Sequence, residues 1–308
     1  MDTPQHIHTA TKRAKVFINP VSGLRQAEVA FPLLEQVLNE FNCPFERHDT
    51  QADEPCTALV RQAVGEGYDL VIAMGGDGTI MEVANGLVGS NAVLGVIPLG
   101  SANVFAAELG IPNDPNAAAR LLFEENQRIC PVDLGRIDDR YFALRASIGL
   151  EAEVIEETDR DLKARLGRLA YVVKGIQTLR QAEQAVYTIE TENIKVETQG
   201  MTVYVTNAAT AGQRPFQLGP DIKMDDGLLD VCIFSASGLT DAAALVGKII
   251  LGDYSADVHA RYLKARWVRV EADPPQKVQL DGEMHGETPV EIEVVPAAIR
   301  VICPAAPT

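Results

Sequence analysis

Three short stretches rich in glycine, serine and asparagine each follow an apolar run: Asn19-Pro20-Val21-Ser22-Gly23, Met74-Gly75-Gly76-Asp77-Gly78-Thr79 and Leu99-Gly100-Ser101-Ala102-Asn103. Glycine lets the backbone come close to a ligand, and amides at a helix start point at an anion. The second stretch is the strongest of the three, yet neither standard nucleotide fingerprint fits it. Met81 stands where G-x-G-x-x-G needs its third glycine, and G-x-x-x-x-G-K-[ST] occurs nowhere. Asp77 inside a phosphate loop repels phosphate unless a divalent cation or an ordered water lies between them. The competing reading is conformational, with Thr79 as an N-cap, Glu82 three residues on closing a capping box, and glycines serving only the turn. Three such loops at successive strand ends favour a ligand, because ligands of open α/β sheets sit beyond the carboxyl ends of the strands.

The second half of the chain offers two acidic turns. Leu280-Asp281-Gly282-Glu283 sets two carboxylates two apart around a glycine, a pair able to supply a general base for a hydroxyl nucleophile. Asp-Gly between strand-like runs is equally the favoured hairpin turn. Lys223-Met224-Asp225-Asp226-Gly227-Leu228 reads as a hairpin or as a cation site of carboxylate and carbonyl oxygens. The five histidines show no metal spacing, and Trp267 at a strand end is expected in the core. Arg160, Lys163, Arg165, Arg168, Lys174 and Arg180 interleave with Leu162, Leu166, Leu169, Ala170, Val173 and Ile176 at helical intervals. The default is a solvated amphipathic helix; the sharper alternative is a membrane-surface face.

Strands and helices must position these groups. Strands are expected at 15–20, 44–50, 69–74 and 94–98, with helices at about 56–64, 79–88 and 102–109 between and after them. A first helix carries Val29, Leu33, Leu34, Val37, Leu38 and Phe41 as one stripe. The continuous apolar run at 69–74 suits a strand buried on both faces, and the alternation predicts a parallel sheet covered by helices. After about Pro131 the β-rich runs 185–189, 201–206, 228–234, 267–271, 277–280 and 290–295 predict an antiparallel sandwich. Two helical insertions interrupt it, at about 159–182 and 239–251.

The chain has 308 residues, enough for about two domains of roughly 150 residues. Its 43 acidic and 27 basic residues leave a net charge of −16, a field that repels polyanions and argues against sequence-independent nucleic-acid binding. It also argues against whole-surface attraction to anionic lipid, though a local basic patch could serve there. Five scattered cysteines make no C-x-x-C pair, so reduced thiols in the cytoplasm are expected. The first eight residues lack a secretory pattern, and the apolar stretch 242–251 contains Lys248 and is too short to cross a bilayer. The expectation is a cytoplasmic protein, or one that only touches a membrane.

Taken together, these stretches resemble the diacylglycerol kinase catalytic-domain family, which includes bacterial diacylglycerol and related lipid kinases and the sphingosine and ceramide kinases. The resemblance runs over about 15–303. It rests on Asn19 to Gly23, on Gly75 to Thr79 with Glu82 and Asn85-Gly86, and on Ile97 to Asn103. Val132-Asp133-Leu134-Gly135, Gly167 to Tyr171, Asp225-Asp226-Gly227 and Leu280 to Glu283 add to it. Gly-Gly-Asp-Gly alone is shared with NAD kinases and phosphofructokinases, whereas the order and spacing of all seven are specific.

The resemblance implies an N-terminal α/β nucleotide-binding domain of that same class over 1–133. It further implies a β-sandwich lipid-substrate domain over 134–308, the last residues returning to the first, with the active site in the cleft between. It implies transfer of phosphate from ATP to a lipid hydroxyl with Mg2+. By matched position, ATP falls to Asn19, Pro20, Val21, Ser22, Gly23, Thr50, Gly76, Asp77, Gly78, Thr79, Glu82 and Ser101. Asp281, with Glu283 beside it, matches the catalytic acidic motif and would take the hydroxyl proton, though which of the two is the base stays open. A structural magnesium would take the side chain of Asp226 and the main-chain oxygens of Lys223 and Leu228, while Asp77 and Asp133 organise the catalytic metal through water. Many members carry Asp after the asparagine of the third loop, where this chain has Val104, which puts part of that metal network in doubt. Ser101 for the commoner Thr keeps the hydroxyl. The acceptor lipid and the number of copies per assembly stay open. The alternatives are a soluble-substrate kinase of NAD-kinase type and an inactive nucleotide- or lipid-binding regulator.

Overall fold

The computed structural model describes residues 13–22, 26–51, 54–149, 185–210, 217–235, 241, 248, 251–255 and 260–305. In chain order the elements begin β1 (Ala14–Ile18), α1 (Gln26–Glu40), β2 (Phe45–Asp49), α2 (Cys56–Gly65), β3 (Leu70–Gly75), α3 (Asp77–Leu87), β4 (Val93–Pro98), α4 (Val104–Glu108) and α5 (Pro115–Leu121). Strands then dominate: β5 (Arg128–Ile137), β6 (Arg140–Phe142), β7 (Arg145–Gly149), β8 (Ala185–Thr191), β9 (Lys195–Gly200) and β10 (Thr202–Thr206). They continue with β11 (Leu229–Phe234), β12 (Ala260–Ala265), β13 (Trp267–Asp273), β14 (Lys277–Leu280), β15 (Glu283–Glu287) and β16 (Val290–Cys303). The chain divides into two compact units, Met1–Asp133 with Pro296–Thr308, and Leu134–Val295.

The first unit is built on a parallel sheet in the order β2-β1-β3-β4, to which the end of β16 adds alongside β4. Every residue of β3 and β4 is buried, as their unbroken apolar composition requires of strands covered on both faces. Each fully buried Ile, Leu or Val contributes about 1.5–3 kcal/mol, so these central strands anchor the loops that leave them. The buried stripe of α1 is Ala27, Ala30, Phe31, Leu34, Val37 and Leu38. Val29 and Leu33, expected on that stripe, point outward instead, at 74% and 36% exposure. The alanines and Phe31 shift the inward face by about one position. Phe41 leaves the stripe too and stacks on Phe123, ring centroids 4.8 Å apart.

The second unit packs an antiparallel sheet, β12-β11-β10-β7-β14-β15, against an antiparallel layer of β13, β8, β9 and the start of β16. Their inner faces alternate at period two and meet in a core that includes Phe142, Ile148, Tyr187, Val203, Val231, Val268, Val278, Leu280 and Ile292. Trp267 is not in that core. It opens β13 opposite Glu293 and is 41% exposed, because Val268 and Val270 take the inward positions of the strand. The insertion expected at 159–182 and most of that at 239–251 lie outside the described residues. Among the described residues no helix is long and apolar enough to cross a membrane.

Candidate functional site

The three glycine-rich loops leave the carboxyl ends of β1, β3 and β4, and direct hydrogen bonds tie them together. At the end of β1 the Asn19 amide donates to the Met74 carbonyl (3.1 Å), and its side-chain oxygen accepts the Val21 N–H (3.1 Å). The Asn19 side-chain amide reaches Thr79 Oγ1 at 3.3 Å. Ser22 closes the turn by donating to the Asn19 carbonyl (3.1 Å). Pro20 is half-buried and Val21 exposed, while Gly23 lies outside the described residues. Thr50, just past β2, donates its N–H to the Ile18 carbonyl (2.8 Å) at the same end of the sheet.

After β3 the helix α3 starts at once, with extended Gly76 at its N-cap and no side-chain cap. The capping-box alternative is thereby set aside. Thr79 is already inside the helix, buried, and bonded to Asn19 rather than to its own helix start. Gly78 is exposed on the first turn. Asp77 Oδ1 accepts the Phe105 N–H (3.0 Å), so its carboxylate caps α4, which relieves the electrostatic oddity of an acid in an anion loop.

Gly76 and Gly100 meet backbone to backbone. A Cβ on Gly100 would stand 2.8 Å from the Gly76 Cα and 2.7 Å from Asn103 Oδ1. Asn103 adopts a left-handed conformation (φ 49°), accepts the Gly100 N–H at 2.7 Å and donates to Asn113 Oδ1. Ser101 is exposed at the crest of that loop. Glu82 is exposed on α3; its carbonyl accepts from Thr57 Oγ1 (3.0 Å), and burial together with the Glu82 carboxylate pushes the Cys56 thiol up to about 12. An exposed helix start, flanked by two anchored loops, can take an anionic group on its amides.

The acidic pair of the second unit stands on the hairpin β14–β15. Asp281 (φ 48°) and Gly282 (φ 95°) both adopt positive φ, the signature of a type I′ turn. The hairpin reading holds, and a hairpin leaves both carboxylates in place for chemistry. The Asp281 carboxylate accepts three backbone N–H groups, from Ala143 (2.9 Å), Leu144 (3.0 Å) and Arg145 (2.8 Å). Burial raises its pKa to about 6 even though those three bonds favour the charged form. Glu283 is different: its side chain is 67% exposed and meets Arg140 at 2.7 Å.

Lys223, Asp226 and Leu228 precede β11. Asp226 Oδ1 accepts the Leu228 N–H (3.1 Å), a local turn rather than a hairpin between paired strands. Lys264 Nζ donates to Asp226 Oδ2 (2.9 Å), Asp230 Oδ2 (3.2 Å) and the Asp221 carbonyl (3.0 Å). Burial pushes Asp230 up to about 6 against the pull of that ammonium. The donors named for a structural magnesium are all oxygens, which is the ligand chemistry of that ion. Asp133 is buried in the first unit, where its Oδ1 accepts the Ala297 N–H (2.7 Å) and fixes a positive-φ kink in β16. Among the described residues no group of three or more His, Cys, Asp or Glu side chains gathers as a metal cluster. Sequence reasoning missed Arg140, Ser147, Gln279 and Lys264. Arg140, Ser147 and Lys264 come to the acidic turns from strands far off along the chain, while Gln279 stands two residues before Asp281 in an apolar run that gives no sign of its role.

Residues 13–137 match the diacylglycerol kinase catalytic domain, and residues 145–303 match the YegS C-terminal NAD kinase beta sandwich-like domain. The chain is 33% identical to a diacylglycerol kinase of Bacillus subtilis over 299 residues, which covers 95% of this chain and 97% of that one. It is 30% identical to a diacylglycerol kinase of Staphylococcus aureus, covering 95% and 93%. A solved diacylglycerol kinase structure from Bacillus anthracis aligns with a TM-score of 0.77 at 26% identity, covering 95% of this chain and 97% of that one.

Proposed function

Since the chain belongs to the diacylglycerol kinase catalytic-domain family, we propose that it is an ATP-dependent lipid kinase acting on a hydroxyl of the diacylglycerol type. The observation that carries this reading is the division of labour in the acidic hairpin. Asp281 is spent on three backbone amides, whereas Glu283, two residues on, is exposed and engaged through one oxygen in a solvent-exposed ion pair with Arg140. Glu283 accepts the proton of the lipid hydroxyl as that oxygen bonds to the γ-phosphorus and the bond to the β-phosphate oxygen breaks. Asp281 holds the turn in place. The amides at the start of α3 and the anchored Asn19 and Gly100–Asn103 loops hold the nucleotide, since phosphoryl transfer asks mainly for positioning and charge neutralisation.

No basic residue occupies the glycine loop. Asp226 with the carbonyls of Lys223 and Leu228 would hold a structural magnesium ion and Asp77 and Asp133 a catalytic one through water; bound there, the metal offsets phosphate charge. The basic stretch 160–180, outside the described residues, brings the enzyme to anionic bilayers, and five buried cysteines, none of them in a disulfide, suit a reducing compartment.

Incubation with γ-labelled ATP and Mg2+ tests the reading against diacylglycerol, monoacylglycerol, ceramide, a sphingoid base and phosphatidylglycerol in neutral micelles, with NAD in a parallel tube. Label is expected in the diacylglycerol fraction. Phosphorylation of NAD with no labelled lipid would overturn it in favour of a soluble-substrate kinase, and no transfer at all in favour of a regulator.

A further inference from the structure

Gln279 is 1% exposed, yet its neighbours on β14, Val278 and Leu280, are the ones that point into the apolar core. By the period of a strand its side chain projects from the opposite face, where it stands directly across from Ser147 on β7. Both ends of the amide are in use. Its Nε2 donates to Ser147 Oγ at 2.6 Å, and its Oε1 accepts the N–H of Gly282, in the turn that leads into Glu283. Ser147 is itself fully buried. A buried amide contributes little net stability over an apolar residue of equal volume, so a fully bonded one is better explained by the geometry it imposes.

The geometry needing support is the turn. Asp281 takes the positive φ that Asp-Gly favours in a type I′ turn, so the turn type is local while its place on the sheet depends on the bonds around it. The pairing also breaks register at this point, from Val278 opposite Gly286 to Gln279 opposite Met284, a bulge that re-aims the strand carrying Glu283. Asp281 ties the turn to residues 143–145, and Gln279 ties it to β7. The exposed Arg140–Glu283 pair cannot substitute for these bonds, because solvent-exposed ion pairs hold their partners weakly.

We propose that Gln279, braced by Ser147, is a positioning residue that sets the place of the Glu283 carboxylate through the Gly282 N–H. The proposal rests on the kinase reading above. Gln279→Met keeps the volume and removes both hydrogen bonds, and Ser147→Ala removes only the brace. At a temperature where circular dichroism shows each variant folded, Gln279→Met is expected to lower kcat for lipid phosphorylation 10- to 100-fold with KM for ATP within twofold. Ser147→Ala is expected to lower kcat 3- to 10-fold. The double variant should be no worse than Gln279→Met alone, since Ser147 acts through Gln279.

Amide exchange at Gly282 supplies a readout independent of activity: protected in the wild type, faster by at least tenfold in Gln279→Met. The proposal is overturned by folded variants with kcat within twofold of wild type, by kcat losses that multiply in the double variant, or by unchanged Gly282 exchange. Should Gln279→Met not fold, Ser147→Ala decides by the same measures. A wild type that labels no lipid refutes the kinase reading instead, and Gly282 exchange then still tests the brace.

Discussion

Asp281 and Glu283 are the same kind of group two residues apart, and their surroundings make them unlike. The raised pKa of Asp281, about 6 against an ordinary 3.8, follows from burial. Between about pH 4 and 6 the folded chain therefore holds a proton that the unfolded chain has released. This group's contribution to stability falls as pH rises through that window and is level above it. Activity runs the other way, because a protonated carboxyl cannot accept all three N–H groups and the turn loosens. The kcat of the wild type is expected to rise from pH 5 to a plateau near pH 7, with a midpoint near 6. Asp281→Asn, neutral at every pH, should lose roughly 100-fold in kcat together with that rising limb; a retained limb in the variant would assign it to another group. Glu283→Gln removes the proton acceptor and should cost about 10²–10⁴ in kcat while leaving ATP affinity unchanged by calorimetry. The acidic pair is legible in the sequence, whereas the division between a buried, bonded carboxylate and an exposed one is not. That division depends on the amides of Ala143, Leu144 and Arg145, which lie far off along the chain.

At the scale of elements, the three loops come together because β1, β3 and β4 end side by side and their turns bond to one another. The close approach of Gly76 and Gly100 leaves no room for a methyl group on Gly100, since the nearest atoms include backbone. Gly100→Ala is expected to cost about 1–3 kcal/mol of stability by overpacking and to raise KM for ATP, measured by thermal melts and initial rates. A variant with unchanged KM would detach this contact from nucleotide binding. Elements with a strong apolar signature were readable: β3 and β4 are continuous apolar runs, and β8, β10, β11 and β13 alternate or are buried outright. Those that escape sequence reasoning have weak signatures for physical reasons. β9 and β15 are sheet-edge strands of largely polar composition. α5 is short and alanine-rich, though Asp114 before Pro115 is a start signal that could have found it. Trp267 was misread because hydrophobicity alone says nothing of which face of a strand a residue occupies.

Across the whole molecule the balance of charge bears on the proposed contact with a membrane. A chain at −16 is repelled by anionic bilayers, so attraction must come from a local excess of positive charge. Residues 160–180 carry six basic side chains and one acidic one, Asp161, in a chain otherwise dominated by acids. Each lysine or arginine near an anionic surface contributes about 1 kcal/mol, and the Debye length of about 8 Å at physiological salt limits the effect to groups close to the lipid. Reversal of Lys163, Arg165 and Arg168 to glutamate removes about 3 kcal/mol of attraction and adds repulsion. Co-sedimentation with phosphatidylglycerol vesicles at low salt should then fall on the order of 100-fold, by about 1.4 kcal/mol per tenfold change. The wild type should lose the same binding as salt rises, and phosphatidylcholine vesicles should retain neither protein. Equal retention of variant and wild type on anionic vesicles would instead place the membrane contact on apolar surface, which salt strengthens rather than screens.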